Sequence, residues 1–227
     1  MAPASTPPID SVQHAPDHHD YRALLERLDR WMEDARRRHP GVVPCRAGCT
    51  ACCHGPFDVT VADAELLRAA VAALPPVERE AAVGRARRLL GAMRVLEPDW
   101  APPYDVAGLG EERFDALSDA LASEPCPLLG ADGGCRIYAS RPLVCRLIGL
   151  PLLGAAGRVI ENACPIQDRF PAYASLAPQP FALEELEILE DECRRAAAGR
   201  LLGDPSREDY ETTIAAVVAS LEPPESG

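Results

Sequence analysis

The sequence predicts a mainly α-helical protein of about six helices around two irregular cysteine-rich loops, with at most a short β-hairpin. Three observations lead to this prediction. Apolar residues recur at helical spacing through most of the chain, whereas alternation of period two is confined to a few short runs. Eight of the nine cysteines fall in two stretches that are rich in glycine and proline turn signals.

The predicted helices are bounded by capping and breaking signals. Asp20 is a candidate N-cap for the first helix, and Pro40-Gly41 ends it. Thr60 caps the second helix, Pro75-Pro76 separates it from the third, and Asp204-Pro205 is expected to begin the last. The predicted helices span residues 20–39, 61–74, 76–96, 111–123, 181–202 and 204–221.

The strand signals are weak, and the chain reads as one domain. Residues 57–61 are a candidate strand, and residues 158–161 are candidates for a hairpin with residues 147–152. The proline-rich residues 1–16 predict a flexible N-terminal arm. The rest is expected to form a single cysteine-cluster domain over residues 17–222, with a metal-binding part at 45–164 and a C-terminal helical part at 181–221.

Composition narrows the function classes. The 227 residues include 23 basic and 35 acidic side chains, and the basic ones are all arginine. Without lysine the chain cannot form a Schiff base or a P-loop phosphate site. A net charge of −12 argues against a nucleic-acid partner, and no apolar run has the length of a membrane span. With no signal peptide recognised, we expect a cytoplasmic protein with no membrane partner; a protein partner stays open.

The cysteine spacing carries the functional prediction. The pattern is Cys45-x3-Cys49-x2-Cys52-Cys53, then Cys126-x8-Cys135-x9-Cys145-x18-Cys164, with Cys193 apart. In a reducing compartment, clustered cysteines point to metal or redox chemistry more than to structural disulfides. Three thiols within eight residues, on a turn of small residues, can reach one centre without closing a long loop. We therefore expect the cysteines from Cys45 to Cys164 to converge on one region.

The spacing favours an iron–sulfur cluster over zinc. Structural zinc sites often use two C-x2-C knuckles, and only the first cysteine stretch contains one. Three close cysteines plus a distant one is an iron–sulfur pattern, although soft thiolates suit both metals, so zinc remains the alternative. The side chains of the adjacent Cys52 and Cys53 are expected to diverge, which leaves open whether there is one site or two. Guanidinium groups near the cysteines would offset thiolate charge; the candidates are Arg46, Arg136, Arg141 and Arg146.

Two further cysteine patterns do not support the predicted metal site. Cys193 continues the helical stripe of Leu186, Leu189 and Ala197, so we expect it in the helical core and not at the metal. The string Cys45-x3-Cys49-x2-Cys52 also matches the radical S-adenosylmethionine signature. That chemistry normally uses a barrel of parallel strands, for which this chain has too few strand signals.

The cysteine motifs together resemble a known family. Cys45 to Cys53, Cys126-Pro-Leu-Leu, Cys135-Arg-Ile-Tyr, Arg141-Pro142 and Cys145-Arg146 are similar to the YkgJ-like "CxxCxxCC" family of zinc- or iron-chelating domains, though the first spacing here is x3. The resemblance implies metal ligation by Cys45, Cys49, Cys52, Cys53, Cys126, Cys135 and Cys145, and more loosely by Cys164. It does not imply one reaction.

Three function classes follow. The first is a metal-binding cysteine-cluster protein with no assigned reaction. Because the family also takes in flagellin lysine N-methylases, the resemblance implies an S-adenosylmethionine-dependent protein lysine methyltransferase as an alternative. A thiol-redox protein in which Cys52 and Cys53 cycle is a second alternative.

Overall fold

A computed structural model describes residues 18–46 and 48–221 of the chain. The predicted arm at residues 1–16 and the predicted domain end at residue 222 lie outside these ranges. Within them the protein is mainly α-helical with short strands, which confirms the predicted fold class. No helix in the described ranges combines the length and the apolar character that crossing a membrane requires.

The helices and strands are as follows. The α-helices are α1 His18–Arg38, α2 Val61–Ala72, α3 Pro76–Leu96, α4 Val106–Leu109, α5 Glu111–Ala120, α6 Leu143–Leu147, α7 Pro171–Ala174, α8 Leu183–Leu202 and α9 Ile214–Ala219. The strands are β1 Asp58–Thr60, β2 Leu152–Leu153, β3 Val159–Ile160, β4 Gln179–Pro180 and β5 Glu211–Thr213. Single 3-10 turns occupy Tyr138–Ser140, Gln167–Arg169 and Pro205–Arg207.

Two strand-to-helix connections lie side by side in the centre of the fold. Strands β1 and β5 pair antiparallel, with Val59 opposite Thr212. Each strand runs directly into a helix through a threonine N-cap, because a threonine hydroxyl can accept the otherwise unpaired amide three residues on. Thr60 Oγ1 accepts from Asp63 N at 3.2 Å, and Thr213 Oγ1 accepts from Ala216 N at 3.1 Å. The predicted strand at 57–61 and the predicted Thr60 cap are thus both present.

The prediction of a last helix over 204–221 is wrong in its first half. Asp204 does accept from Ser206 N, but it caps only the 3-10 turn Pro205–Arg207. Strand β5 follows, and α9 begins after Thr213. The physical reason is tertiary pairing: residues 211–213 form backbone hydrogen bonds with β1, which a continuous helix would forbid.

The predicted hairpin is present as part of a small sheet. β2 pairs antiparallel with β3, with Leu152 opposite Ile160. β4, which the sequence did not indicate, adds to the other edge of β2 in parallel orientation. This sheet closes the second cysteine-rich segment and leads it towards α8.

The helix α2 is the centre of the hydrophobic core. Its buried residues contact α1 and α8 on one side and α3 and α9 on the other. A third cluster joins α3, α4 and α5 around Trp100, which is 6% exposed. The first cluster includes Leu24, Leu25, Leu28, Leu66 and Leu186, and the second includes Leu67, Val71, Val83, Ala86 and Val217. The third includes Leu89, Met93, Phe114 and Leu117.

The predicted stripe on α8 is shifted by one position. Leu186, Cys193 and Ala197 are buried, but Leu189 is 38% exposed and Glu190 lies inside in its place. Glu190 fits the helical spacing because it lies four residues after Leu186 and three before Cys193. A carboxylate therefore lies in the core between α8 and α2.

Glu190 shares this core with a second buried carboxylate. Asp63 is 1% exposed and accepts hydrogen bonds from Tyr21 Oη at 2.9 Å and Leu143 N at 3.0 Å. Burial raises the pKa of Asp63 to about 6 and the pKa of Glu190 to about 7, and their mutual repulsion adds to the increase at Glu190. Arg194 opposes the increase at Glu190.

We predict that metal-free protein becomes less stable as the pH rises from about 5 to about 7.5. Both carboxyls have folded-state pKa values above their unfolded values, so the folded state binds their protons more tightly in this window, and deprotonation costs folding free energy. The variant Glu190→Gln should flatten the dependence and raise the free energy of unfolding at the upper pH by about 1–3 kcal/mol. Urea unfolding of reduced, chelator-treated protein measures this.

The matched control is Glu192→Gln, which changes an exposed carboxylate on the same helix. It should reproduce the wild-type pH dependence. A Glu190→Gln profile as steep as that of the control would contradict the assignment.

Candidate metal centre

The first four cysteines lie on a tight series of turns between α1 and β1. Cys49 N donates to Arg46 O at 2.9 Å, and Cys53 N donates to Thr50 O at 2.9 Å. Gly48 has a positive φ of 83°, a conformation that glycine adopts without steric cost. These turns are possible because the segment is made of small residues, and they bring all four thiols to the wall of one cavity.

Backbone pairing brings the second cysteine segment against the first. Cys126 N donates to Cys53 O at 2.9 Å, Gly55 N donates to Glu124 O, and His54 and Pro125 form an isolated antiparallel bridge. Cys126 is therefore fixed beside Cys53, although 72 residues separate them in sequence (126 − 53 − 1). The side chain of His54 is exposed.

A glycine-rich turn then returns the chain to the same place. Gly130 N donates to Gly134 O at 2.8 Å and Arg136 N donates to Leu128 O at 2.9 Å. Leu129 and Cys135 form a second antiparallel bridge across this turn. Cys135 comes back towards Cys126 as a result, and Cys145, within α6, joins them at the cavity.

The last predicted ligand, Cys164, is placed by Asn162, the single asparagine of the chain. Asn162 Oδ1 accepts from Cys164 N at 3.0 Å and from Gly149 N at 3.2 Å. Gly149 has a φ of 125°, and a Cβ there would lie 3.9 Å from Cys45 Sγ. Asn162 and Gly149 thus link Cys164 to the surroundings of Cys45. Tyr173 reinforces the link, since its hydroxyl donates to Gly149 O at 2.7 Å.

The cavity has a volume of about 110 Å³ and seven cysteines on its wall. Cys164 is not part of that wall but interacts electrostatically with Cys45. The cysteines that line the cavity are Cys45, Cys49, Cys52, Cys53, Cys126, Cys135 and Cys145. The expected convergence of the two cysteine stretches is therefore what the structure shows.

The electrostatic neighbours of Cys45 and Cys53 define two groups of four thiols, the two quartets. Cys45 interacts with Cys49, Cys52 and Cys164. Cys53 interacts with the other three, namely Cys126, Cys135 and Cys145. The quartets touch, because the Cys52 and Cys53 thiols are hydrogen-bonded to each other and Cys52 also interacts with Cys145. The direct interaction of the two thiols runs against the expectation that their side chains diverge.

Burial makes most of these thiols hard to ionise on their own. Loss of hydration raises the pKa of Cys126 to about 11, and it raises the pKa values of Cys45, Cys135 and Cys145 as well. The hydrogen bond between the adjacent thiols raises the pKa of Cys52 and lowers that of Cys53. All nine cysteines are free thiols in this structure.

Arginines surround the cavity, and one of them is buried. The Arg146 side chain is 1% exposed, forms an ion pair with Asp29 and donates to Arg141 O at 2.9 Å and Ala139 O at 3.0 Å. Arg141 pairs with the same carboxylate at 2.6 Å and stacks over Tyr138 at 4.2 Å. Arg141 and Arg146 both line the cavity that the thiols line.

The other predicted arginines are less involved. Arg46 is an exposed lining residue of the cavity. Arg136 does not line the cavity and pairs with Asp132, but its charge, like that of Arg141, lowers the pKa of Cys135 against the effect of burial. Arg36, which no cysteine motif indicated, lines the cavity from the last turn of α1 and lowers the pKa of Cys45 against the effect of burial. Arg36 Nε is buried without a hydrogen-bond partner. A basic last turn on α1 was visible in the sequence, but its approach to Cys45 was not.

The donor set fits a soft metal, but the thiols are not already arranged around an ion. No three His, Cys, Asp or Glu side chains in the described ranges are close enough together to hold one as they stand. Eight thiols with arginines nearby are the donors that zinc and iron–sulfur clusters use. A metal would draw each quartet inwards, as expected where metal binding and local folding are coupled.

Cys193 lies in the core, as predicted. It is 5% exposed and packs within the cluster of α1, α2 and α8. Burial and nearby carboxylates raise its pKa to about 11, and no other thiol contributes to that shift.

Comparison with known proteins agrees with the geometry. No curated protein and no solved structure matches the chain. Residues 44–193 match the CxxCxxCC family, described as a "putative zinc- or iron-chelating domain". The matched range is about two thirds of the chain and contains all nine cysteines. This protein belongs to the CxxCxxCC family of zinc- or iron-chelating domains.

Proposed function

We propose that this protein binds metal in two neighbouring tetrathiolate sites. The first site would use Cys45, Cys49, Cys52 and Cys164, and the second Cys53, Cys126, Cys135 and Cys145. The observation that supports this most directly is that Cys45 and Cys53 each have three other thiols as electrostatic neighbours, in two sets with no shared member, beside one cavity. Cys52 connects the two sets, because it also interacts with Cys53 and Cys145. Four thiolates are the usual complement of a structural zinc ion and of an iron–sulfur cluster.

An iron–sulfur centre is the favoured occupant. A cavity of about 110 Å³ is several times what a single water-sized occupant needs, which favours a polynuclear centre or two ions over one zinc ion. The guanidinium groups of Arg36, Arg141 and Arg146 would offset the surplus negative charge of ligated thiolates. When bound, an iron–sulfur centre supplies reversible one-electron transfer, whereas a zinc ion would only hold the two cysteine segments together.

Fewer observations support the two alternative functions, a thiol-redox protein and a lysine methyltransferase. The hydrogen bond between Cys52 and Cys53 supports a thiol-redox function, because it favours a thiolate at Cys53. That function predicts a reversible change in free-thiol count without metal. The lysine methyltransferase alternative rests on the family resemblance, and binding of S-adenosylmethionine by the reduced, metal-loaded protein would support it. A protein partner and a cytoplasmic location remain predictions.

Removing one ligand from each quartet should separate the two sites. We expect Cys49→Ser and Cys135→Ser each to lose about half of the bound metal and the double variant to lose nearly all, because an alcohol is a poor ligand for a soft metal. Iron, zinc and sulfide analysis of anaerobically purified protein, with its absorbance spectrum, measures this and identifies the metal.

The matched control is Cys193→Ser, which changes a buried thiol outside both quartets. It should leave metal content unchanged and cost about 1–3 kcal/mol of stability. Loss of all metal from either single variant would instead indicate one shared centre. Unchanged metal in every variant would rule out the metal sites and favour the thiol-redox function.

Metal removal should loosen the first cysteine segment more than the second. From Cys45 to His54 no described residue is buried, whereas the second segment contributes buried Leu128, Ile137, Leu143, Leu150 and Leu152 to the core. The second segment lacks periodic apolar residues, yet it buries these five side chains in the core. Its structure should therefore depend less on bound metal than the structure of the first segment does. Since the long helices bury their own stripes, we predict that chelation leaves most of the helical circular dichroism unchanged.

Limited trypsin digestion tests this directly, because Arg46 is the one trypsin site between residues 39 and 67. Chelated protein should be cut first after Arg46, and the variant Arg46→Gln should resist that cut. Loss of the helical signal, or first cuts within residues 126–164, would contradict the prediction.

A further inference from the structure

A second and larger cavity lies on the other side of α9. It has a volume of about 720 Å³, within the range of small-molecule sites, and no cysteine lines it. Ile214, at the start of α9, faces the cysteine cavity, whereas Ala216 and Val217 line the larger one. The remaining walls come from α2, α3, the end of α8 and the Pro102–Tyr104 segment.

The lining of this cavity is apolar with a cationic rim. Leu90, Ala216 and Val217 contribute apolar surface, and the charged lining residues are the solvent-exposed Arg68, Arg87 and Arg94. No acidic residue lines it. Arg68 donates to Ser220 Oγ at 3.2 Å, and among the described residues none of the three arginines has a carboxylate within ion-pair distance. In a chain of net charge −12, three such guanidinium groups around one cavity form a local positive field.

Neutral hydrogen-bonding groups are also present. Thr212 is 3% exposed, and its Oγ1 is a buried polar atom of the cavity wall beside the Tyr210 hydroxyl. The Tyr210 hydroxyl lies near it but donates to Pro103 O at 2.7 Å. An apolar cavity with a few convergent polar groups is the usual form of a site for a small organic molecule.

We infer that this cavity binds a small organic anion with an apolar body. The apolar body would lie against Leu90, Ala216 and Val217, and the anionic group would bind Arg87 and Arg94. Charge complementarity identifies this class of ligand, because a cation would be repelled and a neutral apolar molecule would leave the guanidinium groups unused. The inference is independent of the metal sites, because no thiol lines the cavity.

Octanoate is a suitable probe, with octanol as its uncharged counterpart. Each competes with anilinonaphthalene sulfonate, a fluorescent organic anion, for the full-length protein. We expect octanoate to displace the dye at lower concentration than octanol. Arg87→Gln and Arg94→Gln should each weaken octanoate binding about tenfold, the effect of losing one charge-assisted hydrogen bond.

Two further variants locate the site. Arg88→Gln changes a neighbouring exposed arginine of α3 that does not line the cavity, so it should bind octanoate like the wild type. Gly91→Leu puts a side chain into the cavity, since a Cβ at Gly91 meets no atom within 4 Å, and it should abolish octanoate binding without lowering the melting temperature.

Four results would overturn the inference. The first is equal weakening in Arg88→Gln and Arg94→Gln, which would show only a general charge effect. The second is displacement by octanol as effective as by octanoate, which would show an apolar surface without anion recognition. The third is binding that survives Gly91→Leu, which would place it elsewhere. The fourth is octanoate binding that is unchanged in both Arg87→Gln and Arg94→Gln, which would show that these guanidinium groups do not bind the anionic group.

Discussion

The arrangement of the cysteines depends on the ion pair between the buried Arg146 and the half-buried Asp29. Arg146 follows Cys145 in α6, and its guanidinium is shared among the Asp29 carboxylate of α1 and the carbonyls of Ala139 and Arg141. Burying a guanidinium costs several kcal/mol unless its donors are satisfied, and here each of its nitrogens has a partner. The requirement to satisfy those donors fixes α6 against α1, and Cys145 with it.

A second buried charge fixes the other end of the same short helix. Asp63 accepts from Leu143 N at the beginning of α6 and from Tyr21 Oη of α1. A five-residue helix has too few internal hydrogen bonds to be stable alone, so these outside partners hold it in place. Burial raises the pKa of Asp63, so its charged form costs folding free energy, and the hydrogen bonds from Leu143 N and Tyr21 Oη offset part of that cost.

The helix α9 lies between the two cavities and contributes lining residues to both. It is six residues long, begins at the Thr213 cap, and is packed tightly on α3. Its first residue, Ile214, lines the cysteine cavity, and Ala216 and Val217 line the larger cavity. A shift of α9 would therefore change both cavities. The strand pair β1–β5 sets the position of α9 by aligning the two threonine caps, one for α2 and one for α9.

The sequence by itself determined the mainly helical class, the approximate bounds of the five longest helices, the Thr60 cap, the two cysteine segments and the burial of Cys193, but not the short helices α4, α6 and α7. These features depend on local signals: apolar period, capping residues, prolines and glycines. The sequence also identified all eight candidate thiols, because cysteine is distinctive and their spacing is unlike that of core residues.

Only the tertiary structure decided which thiols are neighbours. Cys53 meets Cys126 through a backbone hydrogen bond across 72 intervening residues, and Cys164 meets Cys45 through Asn162 and Gly149. Strand β5 replaced the start of the last predicted helix, and Glu190 took the buried position predicted for Leu189, for the same kind of reason. Pairing and burial between distant segments depend on how the helices pack around α2, and no local pattern of residues encodes that packing.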